Sequence, residues 1–208
     1  MNVQGPLRID VWSDYVCPFC YLQLPVLDQL QQTYGEQMEL GWHAFELRPE
    51  PTAPLDPNAD FLRATWSRAV LPLAEKRNVV MKMPTVQPRS RKVLEAAAFA
   101  RSAGLFEAFH KQVFKAFFEQ GHDIGHIPTL IDLGGAAGLD ADALQHALDA
   151  RLHAEEVAAD QQLAARLGLR AVPVLLLRQP GQSLEQAKVF HGTLPFERFQ
   201  REIDRLVH

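Results

Sequence analysis

Cys17-Pro18-Phe19-Cys20 holds the only two cysteines of this 208-residue chain. Two thiols at this spacing can close a disulfide with each other or share a metal ion. One disulfide across so short a loop would stabilise a fold little, because the stabilisation grows with loop length. The pair therefore indicates chemistry at the two sulfur atoms, and it excludes a secreted scaffold held together by several disulfides.

The composition is that of an ordinary globular protein, with 47% apolar and 22% charged residues. The length accommodates one domain with an insertion or two small domains. A net charge of -4 gives no electrostatic reason to expect nucleic acid or an anionic membrane as a partner. Residues 1–7 lack the apolar core of a secretory signal, and no apolar run reaches the roughly 18 residues of a spanning helix. We therefore expect a cytoplasmic protein.

A β-α-β pattern surrounds the cysteines. Alternating apolar and polar residues predict a strand over 7–12, with a turn at Ser13-Asp14. A helix is predicted over 18–34, since its first residue is a proline and Cys17 takes the N-cap position. Residues 38–45 are predicted as a second strand. The cysteines then lie at the first junction between a strand and a helix.

The remainder of the chain divides into a helical block and a short β-β-α end. Four prolines in nine residues predict a linker over 49–57. Helical periodicity predicts helices over 59–77, 90–120, 127–137, 140–152 and 154–167. The end of the chain predicts a buried strand over 172–177, a hairpin partner over 187–190 and a final helix over 196–207.

One predicted helix, 90–120, carries an apolar stripe. Phe106, Phe109, Val113 and Phe117 share one of its faces. An amphipathic helix normally turns such a face to the protein core, so we predict a core contact here and not a ligand groove.

Five motifs spread along nearly the whole chain form a recognisable set. They are Ser13-Asp14-Tyr15-Val16-Cys17-Pro18-Phe19-Cys20-Tyr21, Phe45-Glu46-Leu47-Arg48-Pro49, Phe117-Phe118-Glu119-Gln120-Gly121-His122-Asp123-Ile124, Ala171-Val172-Pro173 and Gly192-Thr193-Leu194-Pro195-Phe196. Together they resemble the DsbA-like oxidoreductases, and most of all the FrnE-type branch of that family. Pro25 matches the proline that kinks the first helix of thioredoxin folds. Thr193 and Leu194 depart from the Gly-Ala-Gln-Pro of this branch.

The resemblance implies an α/β thioredoxin fold with an inserted all-helical domain. The thioredoxin-like domain would comprise residues 1–50 and 151–208, and the inserted domain residues 55–150. The implied activity is that of a disulfide oxidoreductase or isomerase acting on protein or small-thiol substrates. The implied redox group is the Cys17–Cys20 disulfide, with no further cofactor and with glutathione as a candidate co-substrate.

The two cysteines are expected to have different roles. At a helix N-terminus, Cys17 meets unpaired backbone N–H groups and the positive end of the helix dipole, which favour a thiolate. We therefore predict Cys17 as the nucleophile and Cys20, one turn further on, as the thiol that resolves the mixed disulfide. Pro18 and Phe19 lie between the two cysteines and are predicted to support the motif. Because Phe19 neither carries charge nor donates a strong hydrogen bond, we expect a weaker oxidant than DsbA.

For the remaining candidate site residues, the sequence allows more than one interpretation. The resemblance implies a cis bond at Val172-Pro173 that shapes the substrate seat beside the cysteines. Asp10 and Asp14 are candidate proton acceptors for Cys20, although a solvated strand residue and a turn cap, respectively, are the favoured interpretations. His43 and His191 are predicted as hydrogen-bonded structural histidines.

The alternatives to disulfide exchange are a zinc site, a glutathione-dependent enzyme and a chaperone-like binder. A Cys₂His₂ zinc site would need Cys17 and Cys20 to meet His122 and His126, about a hundred residues away, so no metal is expected. Kappa-class glutathione transferases and 2-hydroxychromene-2-carboxylate isomerases have similar folds, but they use a serine near the position of the first cysteine. A chaperone-like binder would use the stripe over 106–117 and would survive loss of the thiols.

Overall fold

A four-stranded sheet in the order β2-β1-β3-β4 lies at the centre of the protein, in a computed structural model that describes residues 5–207. Strand β1 is parallel to β2 and antiparallel to β3, and β4 is antiparallel to β3. The parallel pair follows from the β-α-β unit, because a crossover helix returns the chain to the same end of the sheet. The strands are β1 Leu7–Ser13, β2 Met38–Ala44, β3 Val174–Arg178 and β4 Lys188–His191.

Helices cover the sheet and extend beyond the carboxyl end of β1. They are α1 Pro18–Tyr34, α2 Asp60–Thr65, α3 Leu71–Lys76, α4 Arg91–Ser102, α5 Phe106–Lys115, α6 Ile127–Ala136, α7 Ala141–Asp149, α8 Ala154–Arg166 and α9 Phe196–Val207. A π-helical segment, Trp66–Val70, joins α2 to α3, and a second one, Ala116–Gln120, extends α5. The mixed sheet with its helical insertion is the predicted thioredoxin-type architecture.

The two faces of the sheet are buried under different helices, because successive strand residues point to opposite faces. Ile9 and Val11 pack with Leu30 of α1 and Phe199 of α9. Trp12 points to the other face, where its indole N–H donates to a backbone carbonyl of α8. The division into a thioredoxin-like domain, 1–50 with 151–208, and an inserted domain, 55–150, stays a prediction.

The predicted helix over 90–120 is wrong as a single element. The structure divides it into α4 and α5, since Gly104 adopts a left-handed backbone conformation with a φ of 73°. A left-handed residue ends a helix, and glycine adopts this conformation without a steric penalty. The periodic stripe on both sides of the glycine concealed the break. Phe109, Val113 and Phe117 of that stripe are fully buried, which confirms the predicted core contact for these three, whereas Phe106 is half-buried and lines a cavity.

The predicted strand over 172–177 is wrong at its first residues. Strand β3 begins at Val174, because Pro173 has no N–H to donate to a neighbouring strand. The Val172–Pro173 peptide bond is cis, as predicted. Strand β4, which pairs with β3, lies one residue further along than predicted. Within the described part of the chain, none of the helices combines the length and the apolar character needed to cross a bilayer.

Candidate active site

The turn between β1 and α1 positions the two thiols. Cys17 is the N-cap residue of α1 and Pro18 is its first residue, as predicted. The Cys17 carbonyl accepts the backbone N–H groups of Cys20 at 3.1 Å and Tyr21 at 3.3 Å, while the Cys17 N–H donates to the carbonyl of Asp14 at 3.1 Å. Both cysteines are free thiols, with 5% and 2% of their surfaces exposed.

The cis-proline segment lies against the first thiol. The Cys17 Sγ donates to the carbonyl oxygen of Val172 at 3.5 Å, across 155 residues of sequence. The next residue, Pro173, accepts the N–H of Gly192 at 2.9 Å, which ties it to the loop that follows β4. In that loop the N–H of Leu194 donates to Gln23 Oε1 of α1 at 2.9 Å. The structure thus brings the Ala171-Val172-Pro173 and Gly192-Thr193-Leu194-Pro195 motifs to the cysteine helix.

Cys20 is held in its protonated form. Burial raises the pKa of the Cys20 thiol well above its ordinary value, and the hydrogen bond and charge of the Cys17 sulfur raise it further. A backbone contact with Asp14 and the Ser13 hydroxyl act in the opposite direction. Cys20 is therefore poorly suited to attack a substrate first, and it must release a proton before it can react.

Asp14 is a buried acid directly upstream of the cysteines. Its two carboxylate oxygens accept the backbone N–H groups of Leu47 at 2.8 Å and Val16 at 3.4 Å. Burial raises the pKa of Asp14 to about 6, although these hydrogen bonds oppose the rise. The Phe45-Glu46-Leu47-Arg48-Pro49 motif therefore lies beside the active-site turn, and Asp14 does more than cap that turn.

Asp10 has a different environment from the one predicted for a proton acceptor. Its carboxylate accepts hydrogen bonds from Arg178 at 2.7 Å, Arg8 at 2.9 Å and His43 at 3.2 Å. Burial alone would raise the pKa of Asp10, but these bonds outweigh it and hold the pKa at about 2. A carboxylate so fully engaged stays ionised, so the structure favours a structural role for Asp10 over the predicted proton transfer.

The two predicted structural histidines have different surroundings. His43 stacks on Trp12 with ring centroids 4.1 Å apart, and its ring nitrogens bond to Asp10 and to Asp160 of α8, the latter at 2.7 Å. Burial lowers the pKa of His43, but the two carboxylates raise it more. This confirms the structural role predicted for His43. His191 lies exposed at the end of β4.

The four residues of the hypothetical zinc site do not converge. In the part of the chain that the structure describes, no three or more His, Cys, Asp or Glu side chains are grouped as metal ligands. Cys17 and Cys20 are buried at the start of α1, whereas His122 and His126 are exposed in the loop before α6.

Comparison with known proteins decides the family. The model of the DsbA-like thioredoxin domain matches residues 8–204, which is nearly the whole chain. The chain belongs to the DsbA-like thioredoxin family. The uncharacterised protein YwbO of Bacillus subtilis is 35% identical over 150 residues, which cover 71% of this chain and 74% of YwbO.

Two solved structures have the same DsbA-like architecture. A 2-hydroxychromene-2-carboxylate isomerase superposes with a TM-score of 0.79 at 18% identity, covering 96% of both chains. The cytosolic disulfide reductase DsbM of Pseudomonas aeruginosa superposes with a TM-score of 0.71 at 21% identity, covering 96% of this chain and 99% of DsbM. At such identities the similarity shows the fold, which two different activities therefore share.

One residue beside the cysteine motif was not singled out by the sequence patterns. His110 of α5 is buried, and its Nδ1 lies 2.8 Å from the Tyr15 hydroxyl of the cysteine motif. Burial lowers the pKa of His110 to about 3, so the ring is neutral. A polar residue between the buried Phe109 and Val113 of an apolar helix face was the only signal in the sequence.

Replacing Asp14 with asparagine is expected to remove a pH dependence of stability. Because the pKa of Asp14 is raised to about 6, the folded protein keeps a proton that the unfolded chain releases, and the free energy of unfolding falls as pH rises from about 4 to about 6. Between about pH 5 and about pH 7, the wild type should lose about 1 kcal/mol relative to Asp14→Asn. Urea unfolding measures both proteins, and a difference independent of pH would contradict the buried protonated acid.

Proposed function

We propose that this DsbA-like protein exchanges disulfides with protein or small-thiol substrates through Cys17 and Cys20. The observation that carries the proposal is the position of the Cys17 sulfur, at the N-cap of α1 and 3.5 Å from the Val172 carbonyl. The N–H groups of the first helical turn have no partners within the helix and favour a negatively charged sulfur. Attack by this sulfur on a disulfide gives a mixed disulfide.

The second step falls to Cys20. Its thiol lies one helical turn from Cys17 and is kept protonated by burial. Once Cys17 is bound to a substrate sulfur, the negative charge that opposes ionisation of Cys20 is gone, and Cys20 can attack Cys17 to release the substrate. The buried position of Cys20 thus gives the two thiols a fixed order of action.

The Val172 carbonyl supports a site for an extended substrate segment. It faces Cys17 and accepts its thiol hydrogen, so it lies where the backbone of a substrate bound to Cys17 would pass. Backbone groups exposed next to a strand can pair with an extended peptide. We therefore propose that Val172 and Pro173 form the substrate seat, with small thiols as alternative occupants.

Glutathione is our candidate small-thiol substrate, and the cytoplasm remains our predicted compartment. DsbM, which shares the fold, is described as cytosolic and has also been solved with GSH. Retention of both thiols favours disulfide exchange over conjugation or isomerisation, in which a second thiol has no role.

The test compares three activities of the purified protein. We expect catalysed reduction of insulin with glutathione or dithiothreitol as reductant, and catalysed refolding of a scrambled disulfide protein. Glutathione conjugation and isomerisation of 2-hydroxychromene-2-carboxylate are measured in parallel. Absence of both exchange activities together with conjugation or isomerisation would overturn the proposal and favour the glutathione-dependent alternative.

Replacing Phe19 with histidine is expected to make the protein more oxidising. Phe19 is half-buried beside the thiols and offers the Cys17 thiolate neither charge nor a strong hydrogen bond, whereas a histidine offers both. We expect the reduction potential to rise by at least about 30 mV, which is about 1.4 kcal/mol for a two-electron couple. Equilibration with glutathione redox buffers measures the potential, Phe19→Leu is the matched control, and an unchanged potential in Phe19→His would contradict this role.

A further inference from the structure

The loop that follows β4 is held in place through the backbone of Leu194. Its N–H donates to Gln23 Oε1 of α1 at 2.9 Å, and its carbonyl accepts an N–H of Arg77 Nη2 at 3.0 Å. Both backbone polar groups of one loop residue are thus bound by side chains from other parts of the chain. Neither bond involves the Leu194 side chain, so this attachment does not depend on which side chain stands at position 194.

Arg77 also binds the cysteine helix. It is the residue at which α3 ends, and its guanidinium donates a second hydrogen bond to the carbonyl of Leu22 in α1. Pro25 lies close to this carbonyl and interrupts the hydrogen bonds of α1, because a proline has no N–H to donate. Arg77 therefore joins three segments of the chain, which are α1, the end of α3 and the loop after β4.

The chemistry of arginine suits this contact. The Arg77 side chain is half-buried, and its two nitrogen atoms donate to two different carbonyl oxygens. Hydrogen bonds from a charged donor are stronger than those between neutral groups. A guanidinium also presents its donors in a rigid fork, which holds two acceptors at a fixed separation, whereas the ammonium of a lysine is a single point of attachment.

The loop held by Arg77 is itself bonded to the proposed substrate seat. The N–H of Gly192, at the start of the loop, donates to the carbonyl of Pro173 at 2.9 Å. The preceding residue, Val172, accepts the thiol of Cys17 at 3.5 Å. A continuous series of hydrogen bonds and short backbone segments therefore leads from Arg77 to the sulfur that attacks the substrate. A shift of the loop would move Pro173 and the Val172 carbonyl with it.

We propose that Arg77 is a positioning residue of the substrate seat, which holds Val172 and Pro173 in the place that an extended substrate bound to Cys17 requires. The inference rests on the proposed disulfide exchange. Arg77 acts through the loop after β4 and not on the sulfur atoms. Loss of its hydrogen bonds should therefore weaken the binding of polypeptide substrates, which need the seat, and leave the reaction of Cys17 with a small disulfide unchanged.

The test compares two substrates. An internally quenched peptide whose halves are joined by a disulfide gives kcat and KM, and a symmetrical chromogenic aryl disulfide reports the attack of Cys17 alone. We expect Arg77→Met, which has a similar length and no charge, to raise the KM for the peptide at least about tenfold, the effect of losing one hydrogen bond to a charged group. The kcat should change little, because the seat binds the substrate and the transition state alike. The aryl disulfide should react at the wild-type rate.

Three further variants separate positioning from a structural contact. Arg77→Lys keeps a charged donor but not the fork, so it should recover the KM only in part. Gln23→Leu removes the acceptor of the Leu194 N–H and should raise the same KM from the side of α1. Arg101→Met is the matched control, since Arg101 also donates to a backbone carbonyl, that of Trp42 at 2.9 Å, but in β2 and not in the loop.

The positioning role makes a selective prediction. An unchanged KM for the peptide in Arg77→Met, equal slowing of the peptide and the aryl disulfide, or a rise of the same size in Arg101→Met would overturn it. If Arg77→Met does not fold, Gln23→Leu decides by the same criteria. Failure of the wild type to reduce either substrate would instead overturn the proposed disulfide exchange, so the two failures are distinguishable.

Discussion

Replacing Cys17 with serine is expected to reduce insulin reduction to the uncatalysed background. A hydroxyl at the N-cap of α1 is a far weaker nucleophile than the sulfur, and removal of a covalent nucleophile costs on the order of 10⁶ in turnover in well-studied enzymes. Cys20 cannot substitute for it, because burial raises the pKa of its thiol and keeps it protonated. The turbidity of reduced insulin gives the rate.

Cys20→Ser is the matched variant within the same motif. It keeps the nucleophile and removes only the resolving thiol, so we expect the first step to proceed and the protein to accumulate as a mixed disulfide through Cys17. Mass spectrometry of the intact protein measures the added mass. Full insulin reduction by Cys17→Ser would refute the assignment of the nucleophile.

Replacing Asp10 with asparagine is expected to destabilise the fold while leaving the resolution step largely intact. The Asp10 carboxylate has only 2% of its side chain exposed and binds Arg8, Arg178 and His43. Loss of one partner from a buried pair leaves charges unpaired at a cost of about 3 kcal/mol, the lower end of the usual range because Arg8 is partly exposed. Urea unfolding gives the difference in free energy.

The pH dependence of that difference has a defined sign. Burial opposes ionisation of Asp10, but its hydrogen bonds outweigh burial and lower the pKa to about 2. Stabilisation by the carboxylate is therefore fully present above about pH 4, the ordinary range of an aspartate, and is lost as pH falls towards about 2. The difference between wild type and Asp10→Asn should shrink over the same range.

An exposed aspartate provides the control for Asp10. Asp28 forms an ion pair with Lys111 on the protein surface, and Asp28→Asn should cost less than about 1 kcal/mol. Accumulation of a mixed disulfide through Cys17 in Asp10→Asn, without loss of stability, would restore Asp10 as the proton acceptor of Cys20.

Local sequence patterns are sufficient to predict the strand and the helix on either side of the active-site turn. The start of α1 at Pro18, with Cys17 as its N-cap, depends only on residues adjacent in sequence, and so does the alternation that makes β1 a strand. The predicted helix over 90–120 failed because apolar periodicity is the same on both sides of Gly104, and periodicity alone does not report a left-handed residue.

The site itself required contacts over long distances in sequence. Asp10 looked like a strand residue with a free carboxylate, and only the sheet brings Arg178, 168 residues away, to it. His110 looked like one polar residue on a helix, and only packing of α5 places it against Tyr15, 95 residues away.

Residue patterns alone identify the thiol pair, its place at a helix N-terminus and, by resemblance, the DsbA-like fold around it. The helix N-terminus follows from local backbone geometry. A thiol pair at this spacing is a pattern that few other protein structures require. The groups that surround the buried Cys20 follow only from the packing of the whole chain. Burial and the pairing of charges are properties of the packed chain, because they depend on what distant segments remove from water.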